Sequence, residues 1–161
     1  MKKRILTEAS GSLVSAYLIK AIKDSGNVSI ASDINKNNHG FSLADDFIEM
    51  PNSNDPKLWS KIEKKLIKCE VDIVIPSFDE TLMGWSERKE YFYKKGINIL
   101  ISHPDSLEIY LDKYEAYKFC KLHEIPTPKT SISQKYKIVK PRFGRGGSGI
   151  YIGNEKQDMN N

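Results

Sequence analysis

The sequence predicts an α/β fold, a parallel sheet with helices packed on both faces, over roughly residues 1–105. Three observations carry that reading. Short apolar runs recur at Arg4 to Thr7, Val28 to Ser32, Phe47 to Met50, Val71 to Ile75 and Ile97 to Ile101. Segments with helical spacing of apolar residues separate them, and strand–helix alternation is the pattern of parallel sheets. The run VDIVI at 71–75 is strongly apolar, as expected for a strand covered on two faces.

Taken in order, RILT at 4–7 is a first strand, and the small-residue turn EASGS follows it. The next helix places Val14, Leu18, Ala21 and Ile22 on one face, and Gly26 ends it, as a glycine after a helix commonly does. Val28 to Ser32 is a second strand closing on Asp33, and Phe47 to Met50 is a third before Pro51. Leu58, Ile62 and Leu66 mark a helix with Trp59 beside them. The strand Val71 to Ile75 stops at Pro76, Glu80 to Lys95 reads as one helix with a ragged apolar face, and Ile97 to Ile101 is the fifth strand. Together these define a Rossmann-like domain.

Character changes after His103-Pro104. Asp105 to Tyr110 is a short helix, and Lys113 to His123 a longer one with Ala116, Phe119 and Cys120 on one face. The prolines at 126 and 128 force an extended link, because the residue before a proline is disfavoured in helix. Tyr136 to Val139 is a strand with Ile150 to Ile152 as its partner, which makes residues 106–161 a partial α+β unit. The polar tail from Asn154 to Asn161 reads as frayed.

With 161 residues the chain can bury a real core, roughly two thirds of its unfolded surface. Its net charge of +4 is spread along the chain and accompanies no recognition motif, which argues against nucleic-acid binding. Cys69 and Cys120 lie in helical segments, form no CxxC and are expected to be buried free thiols, in keeping with a reducing cytoplasm. No segment approaches the ~20 apolar residues of a membrane span, and the N-terminus lacks a signal-peptide core.

The most specific stretch is KYKIVKPRFGRGGSGIYIG, Lys135 to Gly153. Gly144, Gly146, Gly147 and Gly149 let the backbone take positive φ and approach a ligand, so that successive N–H groups can form an anion nest around Ser148. Arg142 and Arg145 add charge, and Lys140 tips the incoming strand. The set suits a triphosphate; a plain hairpin with a glycine turn is the alternative. GxGxxG is matched, but a dinucleotide fingerprint opens a helix, whereas Ile150 to Ile152 is β-like. No GKS or GKT follows, which excludes a P-loop.

Leu111-Asp112-Lys113 opening a helix, then HEIPTP at 123–128, then Ile138-Val139-Lys140-Pro141 entering the glycine loop: this order resembles the ATP-grasp enzymes, particularly proteins similar to the large subunit of carbamoyl-phosphate synthase. Ile5 to Ser12 resembles that family's first strand and turn, and Ile73 to Leu82 its strand and turn at the active-site cleft. The resemblance implies a preATP-grasp domain at 1–105 and the start of a nucleotide-binding domain at 106–161. It implies that Lys113 and Lys140 contact ATP and that the loop from Gly144 to Gly149 closes over the phosphates. It further implies ATP-dependent carboxylate–amine ligation through an acyl phosphate. The family's hinge strand and magnesium-binding acids have no counterpart here, so a part-site with Mg²⁺ ligands elsewhere is expected, inactive alone. A second chain could supply the rest of the site, and pairing of two copies of this chain as a homodimer is a separate expectation.

Some residues keep two readings. Asp112 is read first as a helix N-cap. Asp79 and Glu80, at the C-terminal end of a buried strand, either face the substrate or cap the next helix. His39, His103 and His123 have no metal-ligand spacing. Two other functions compete: a non-catalytic module that pairs with another chain, and an NAD-type fold, against which a lone Gly11 in the first turn counts.

Overall fold

The computed structural model describes residues 1–153, so the expectation for the polar tail lies outside the described residues. The chain divides into two compact units, Met1–Ser102 and His103–Asn161. Among the described residues no helix is long and apolar enough to cross a membrane.

The first unit runs β1 (Arg4–Thr7), α1 (Ser15–Asp24), β2 (Val28–Asp33), α2 (His39–Leu43), β3 (Asp46–Glu49), α3 (Leu58–Lys68), β4 (Ile73–Ile75), α4 (Asp79–Glu87), α5 (Lys89–Tyr93) and β5 (Asn98–Ile99). Its five strands are parallel in the order β3-β2-β1-β4-β5. Right-handed crossovers put α1 and α2 on one face and α3 to α5 on the other, because the chain steps outward from β1 in opposite directions. Side chains sort accordingly. Leu6, Ile30, Ile48, Val74 and Ile99 join Ile62, Leu66, Trp85 and Phe92 in one continuous core. Ile5 and Ala31 point the other way, where Ile19 and Ile22 of α1 are buried. Register pins this division: Leu6 stands opposite both Ile30 and Val74, and a one-residue slip would exchange the faces.

The alternation is as the sequence predicts, but details differ. The buried face of α1 is Ser15, Ile19 and Ile22, while Val14 is 65% exposed. The stripe is turned because the Ser15 hydroxyl is drawn inward, donating to the carbonyls of Ser10 at 2.6 Å and Ser12 at 2.8 Å. The helix expected over 80–95 is two helices, since Arg88 leaves helical geometry at φ −103°, ψ 6°. Its break lets Phe92 enter the core at 1% exposure while Tyr91 and Tyr93 face outward. β4 and β5 are shorter than the apolar runs that announce them. Val71 and Ile97 are buried just before those strands, so burial extends beyond the hydrogen-bonded ladder.

The second unit contains α6 (Pro104–Leu111), α7 (Lys113–Leu122) and an antiparallel pair, β6 (Ile138–Val139) and β7 (Tyr151–Ile152). Among its described residues, Asp112 is the only non-glycine residue that is buried. The thiols of both cysteines are free but only half-buried, which corrects the expectation of burial. Cys69 caps the C-terminus of α3, and Cys120 lies on α7 in a unit with no apolar core of its own.

Candidate functional site

Two places combine unusual chemistry with backbone built to present it. The first is the glycine loop of the second unit. Gly144, Gly146, Gly147 and Gly149 all have positive φ, from 64° to 106°. An L side chain would strain each of them, so the sequence pattern is a conformational requirement. A Cβ on Gly149 would come within 2.6 Å of Pro141 Cγ, so the loop's neck closes where only glycine fits.

The loop encloses a cavity of about 150 Å³, lined by Lys113, Phe143 and residues 144–148 and closed by Pro141 and Ile150. Small-molecule pockets usually run to roughly 300–1,000 Å³. A phosphate-sized anion suits this space and a whole nucleotide does not. Two amides expected in the nest are engaged inside the loop, Ser148 N–H with the Arg145 carbonyl at 3.3 Å and Ile150 N–H with Gly147 at 3.2 Å. The donors of the lining are therefore fewer than a fully open nest would offer.

Lys113 reaches the loop from the first turn of α7. Its Nζ donates to the Gly144 carbonyl at 2.8 Å and to Arg142 at 3.3 Å, and its backbone N–H donates to Arg142 at 3.0 Å. Asp112 is the N-cap, accepting from Tyr114 N–H at 2.9 Å and Glu115 N–H at 3.4 Å. It also takes an ion pair that sequence reasoning missed: Arg142 Nε donates to its Oδ1 at 3.1 Å and Arg142 Nη2 to its Oδ2. The guanidinium hydrogen-bonded to Asp112, with help from the capped amides, holds that carboxyl below its ordinary value despite desolvation. Arg142 thus faces carboxylates, Glu115 included at 3.6 Å, and is not in the cavity lining. Lys140 follows β6 directly, is exposed, and also lies outside that lining.

The second place is the C-terminal edge of the parallel sheet, where the chain steps from β1 in opposite directions to β2 and β4. Open α/β sheets bind ligands at such a switch point. Glu8, directly after β1, is 5% exposed. It accepts from Trp85 Nε1 at 2.8 Å, from Thr81 Oγ1 at 3.2 Å and from Ser77 N–H at 3.3 Å. The Ser77 hydroxyl donates back to the Glu8 carbonyl at 2.8 Å, so β1 and β4 are stitched together beyond their ladder. Burial pushes the Glu8 carboxyl above its ordinary value, and the hydrogen bonds oppose that shift without cancelling it. The sequence reading took Glu8 as part of a turn; its place one residue past the first strand was the available signal. Asp79 and Glu80 occupy the first turn of α4, whose N-cap, Phe78, makes no side-chain cap bond. Acidic residues suit that helix end.

The neighbouring β1–α1 turn is equally committed. Ala9 has φ 48°, an unusual conformation for alanine. Gly11 N–H donates to Asp33 Oδ2 at 2.9 Å, and Ile34 N–H to Asp33 Oδ1 at 2.8 Å. A carboxylate therefore occupies the amide that a dinucleotide pyrophosphate would need, which argues against the NAD-type alternative. His39 Nε2 lies 3.0 Å from Ser15 Oγ and 3.1 Å from the Ser12 carbonyl. A carbonyl only accepts, so Nε2 carries the proton and the pair ties two loops rather than activating a serine.

The parallel sheet in the order 3-2-1-4-5 sets the class of the first unit, an open, doubly wound α/β domain. Residues 8–100 match the family described as PylC-like, N-terminal domain, and the chain belongs to that family. No curated protein matches it. Among solved structures, N5-carboxyaminoimidazole ribonucleotide synthetase from Thermotoga maritima is similar at TM-score 0.55 and 23% identity, over 88% of this chain and 34% of that one. The biotin carboxylase domain of Hydrogenobacter thermophilus 2-oxoglutarate carboxylase, a dimer with MgADP, ADP and bicarbonate, aligns at TM-score 0.64 and 20% identity, over 94% of this chain and 37% of that one. Biotin carboxylase from Campylobacter jejuni, as a β,γ-ATP complex, gives TM-score 0.62 and 19% identity, over 97% and 39%. At these identities the likeness is one of fold, and the chain spans between a third and two fifths of each of these structures.

Proposed function

We propose that this chain carries the phosphate-binding part of an ATP-dependent carboxylate–amine ligase of the ATP-grasp type. In this reading residues 1–105 act as the preATP-grasp domain, and residues 106–161 begin the nucleotide-binding domain. The observation that carries it is the left-handed glycine loop with Lys113 in its cavity wall. Lys113 and Arg145 offset phosphate charge, the loop backbone holds phosphate oxygens, and Lys140 approaches once nucleotide is bound. Asp79 and Glu80 face the acceptor substrate from the sheet edge.

In the complete reaction, of the carbamoyl-phosphate synthase kind, a carboxylate oxygen attacks the γ-phosphorus and ADP leaves. An amine then attacks the acyl carbon and expels phosphate. Magnesium supplies charge neutralisation in phosphoryl transfer. Among the described residues there is no group of three or more His, Cys, Asp or Glu able to hold a metal ion. The magnesium ligands are proposed to come from further polypeptide. The chain is proposed to work in the cytoplasm and to turn over no ATP by itself. Isothermal titration with Mg-ATP tests the reading: saturable binding weaker than about 10 µM is expected, submicromolar binding contradicts a partial site, and no binding refutes the loop's role.

A second reading, an interaction module completed by another chain, is favoured by the hairpin. Ile138 is 63% exposed and Ile152 77%, on a two-stranded ladder with no further partner strand among the described residues. Isolated two-stranded ladders are marginal in water and exposed edges pair readily. Co-expression with a polypeptide carrying the remainder of an ATP-grasp domain distinguishes the two. Association without ATP hydrolysis supports the module, and association with hydrolysis supports a split ligase.

A further inference from the structure

We propose that Asp112 is a positioning residue for the glycine loop, fixing its root through Arg142 so that Lys113 and the glycines meet the anion from a set distance. The proposal rests on the reading that this loop takes nucleotide phosphate. The argument begins with what the second unit lacks. Its described residues bury no apolar side chain, so little core packing supports the loop. The two-stranded β6–β7 ladder closes its base, and polar contacts from two consecutive residues fix Arg142 at its root.

Asp112 grips the Arg142 side chain with both carboxylate oxygens, while Lys113 binds the Arg142 carbonyl through its N–H and the Gly144 carbonyl through Nζ. A forked guanidinium–carboxylate pair fixes orientation as well as distance. Asp112 is 4% exposed, so the pair is shielded from competing water on the carboxylate side. Helix α7 orients Asp112 in turn, since the same Oδ1 caps its first amides. The chain of constraint runs from helix to carboxylate to guanidinium to loop. Arg142, which the sequence offers as a phosphate ligand, serves as the loop's anchor.

Asp112→Asn separates anchoring from capping, because asparagine caps a helix as well as aspartate but carries no charge for Arg142. Arg142→Met removes the other partner and leaves the cap intact; Arg142→Lys keeps charge without the fork. Hydrogen exchange on the whole chain without nucleotide, and titration with Mg-ATP, are read for each variant and for the Asp112→Asn/Arg142→Met double. Asp112→Asn and Arg142→Met are each expected to speed exchange at residues 144–150 by about tenfold and to weaken Mg-ATP by a similar factor. Exchange in α7 stays as in the wild type, Arg142→Lys falls between, and the double variant is no worse than the worse single. Loop exchange within about twofold of wild type in Asp112→Asn, or losses that add in the double variant, overturns the proposal. Should the wild-type chain bind no Mg-ATP, the proposed function fails, and the exchange data still decide whether Asp112 anchors the loop.

Discussion

Replacing Gly84 with alanine tests how the C-terminal edge of the sheet is held. Gly84 lies in α4 between Thr81 and Trp85, two of the residues that hydrogen-bond Glu8. A Cβ there would stand 3.0 Å from Trp59 Cε2 and 3.1 Å from Cη2, and closer still to Cζ2. Trp59 is half-buried and held on two sides: its ring meets Trp85 edge-on at 5.0 Å, and the Arg88 guanidinium lies 4.5 Å from its centre. Overpacking costs about 1–3 kcal/mol. Displacing the indole forfeits about 1 kcal/mol of aromatic contact and roughly 0.5–1 kcal/mol of cation–π attraction. Alanine returns about 1 kcal/mol of helix propensity. The net is a loss of about 2 kcal/mol, or very roughly 10 °C in Tm for a unit of this size. Urea unfolding followed by tryptophan fluorescence reads it directly. In the Trp59→Leu background the clash is relieved, and Gly84→Ala is expected to be neutral or stabilising. A wild-type-like midpoint for Gly84→Ala alone would refute the reasoning, because Trp59 would then have room the structure denies it.

Three further outcomes follow from other sites. Glu8 has a folded-state carboxyl above the model-compound value of 4.5, so as pH rises the unfolded chain releases that proton first and stability falls, by about 1.4 kcal/mol per pH unit until the folded carboxyl ionises. Glu8→Gln should remove this slope from urea midpoints measured across pH 4–8, and parallel curves for the two proteins would contradict it. Gly26→Ala, at φ 78° with open space around it, should cost about 1 kcal/mol through backbone strain alone, with Gly26→Asn costing less. Lys113→Ala should weaken Mg-ATP binding about tenfold and flatten its salt dependence while leaving the unfolding of the first unit unchanged; an unaltered titration would remove Lys113 from the site.

The fold was legible where chemistry repeats along the chain. β1 occupies Arg4–Thr7 as its residues suggest, and Phe92 alone of the three consecutive aromatics turns inward, as a helix with one buried face requires. It was less legible where one residue changes the outcome. α2 is five residues, HGFSL, and depends on Asn38 capping Phe41 N–H at 3.2 Å and on Gly40 letting Ser10 approach. No periodicity can announce a helix of that length. The turned face of α1 has the same origin, since a serine bonded to two carbonyls behaves as a buried residue while hydropathy ranks it as polar.

The site shows the same boundary more sharply. Four positive-φ glycines are written into the chain, because most residues with a side chain take those angles only with strain. Partners of long charged side chains are not, because a lysine or arginine reaches any of several groups and tertiary placement selects among them. Lys113 and Arg142 stand 29 positions apart in sequence and meet only because the hairpin returns to the first turn of α7. Arg142 there pairs with the Asp112 carboxylate. Glu8 follows the same logic in reverse: one acid in a small-residue turn looks incidental until Trp85, 77 positions on, closes over it. In both places the sequence specifies the backbone that could hold an anion or a substrate, and the fold decides which charges remain to meet it.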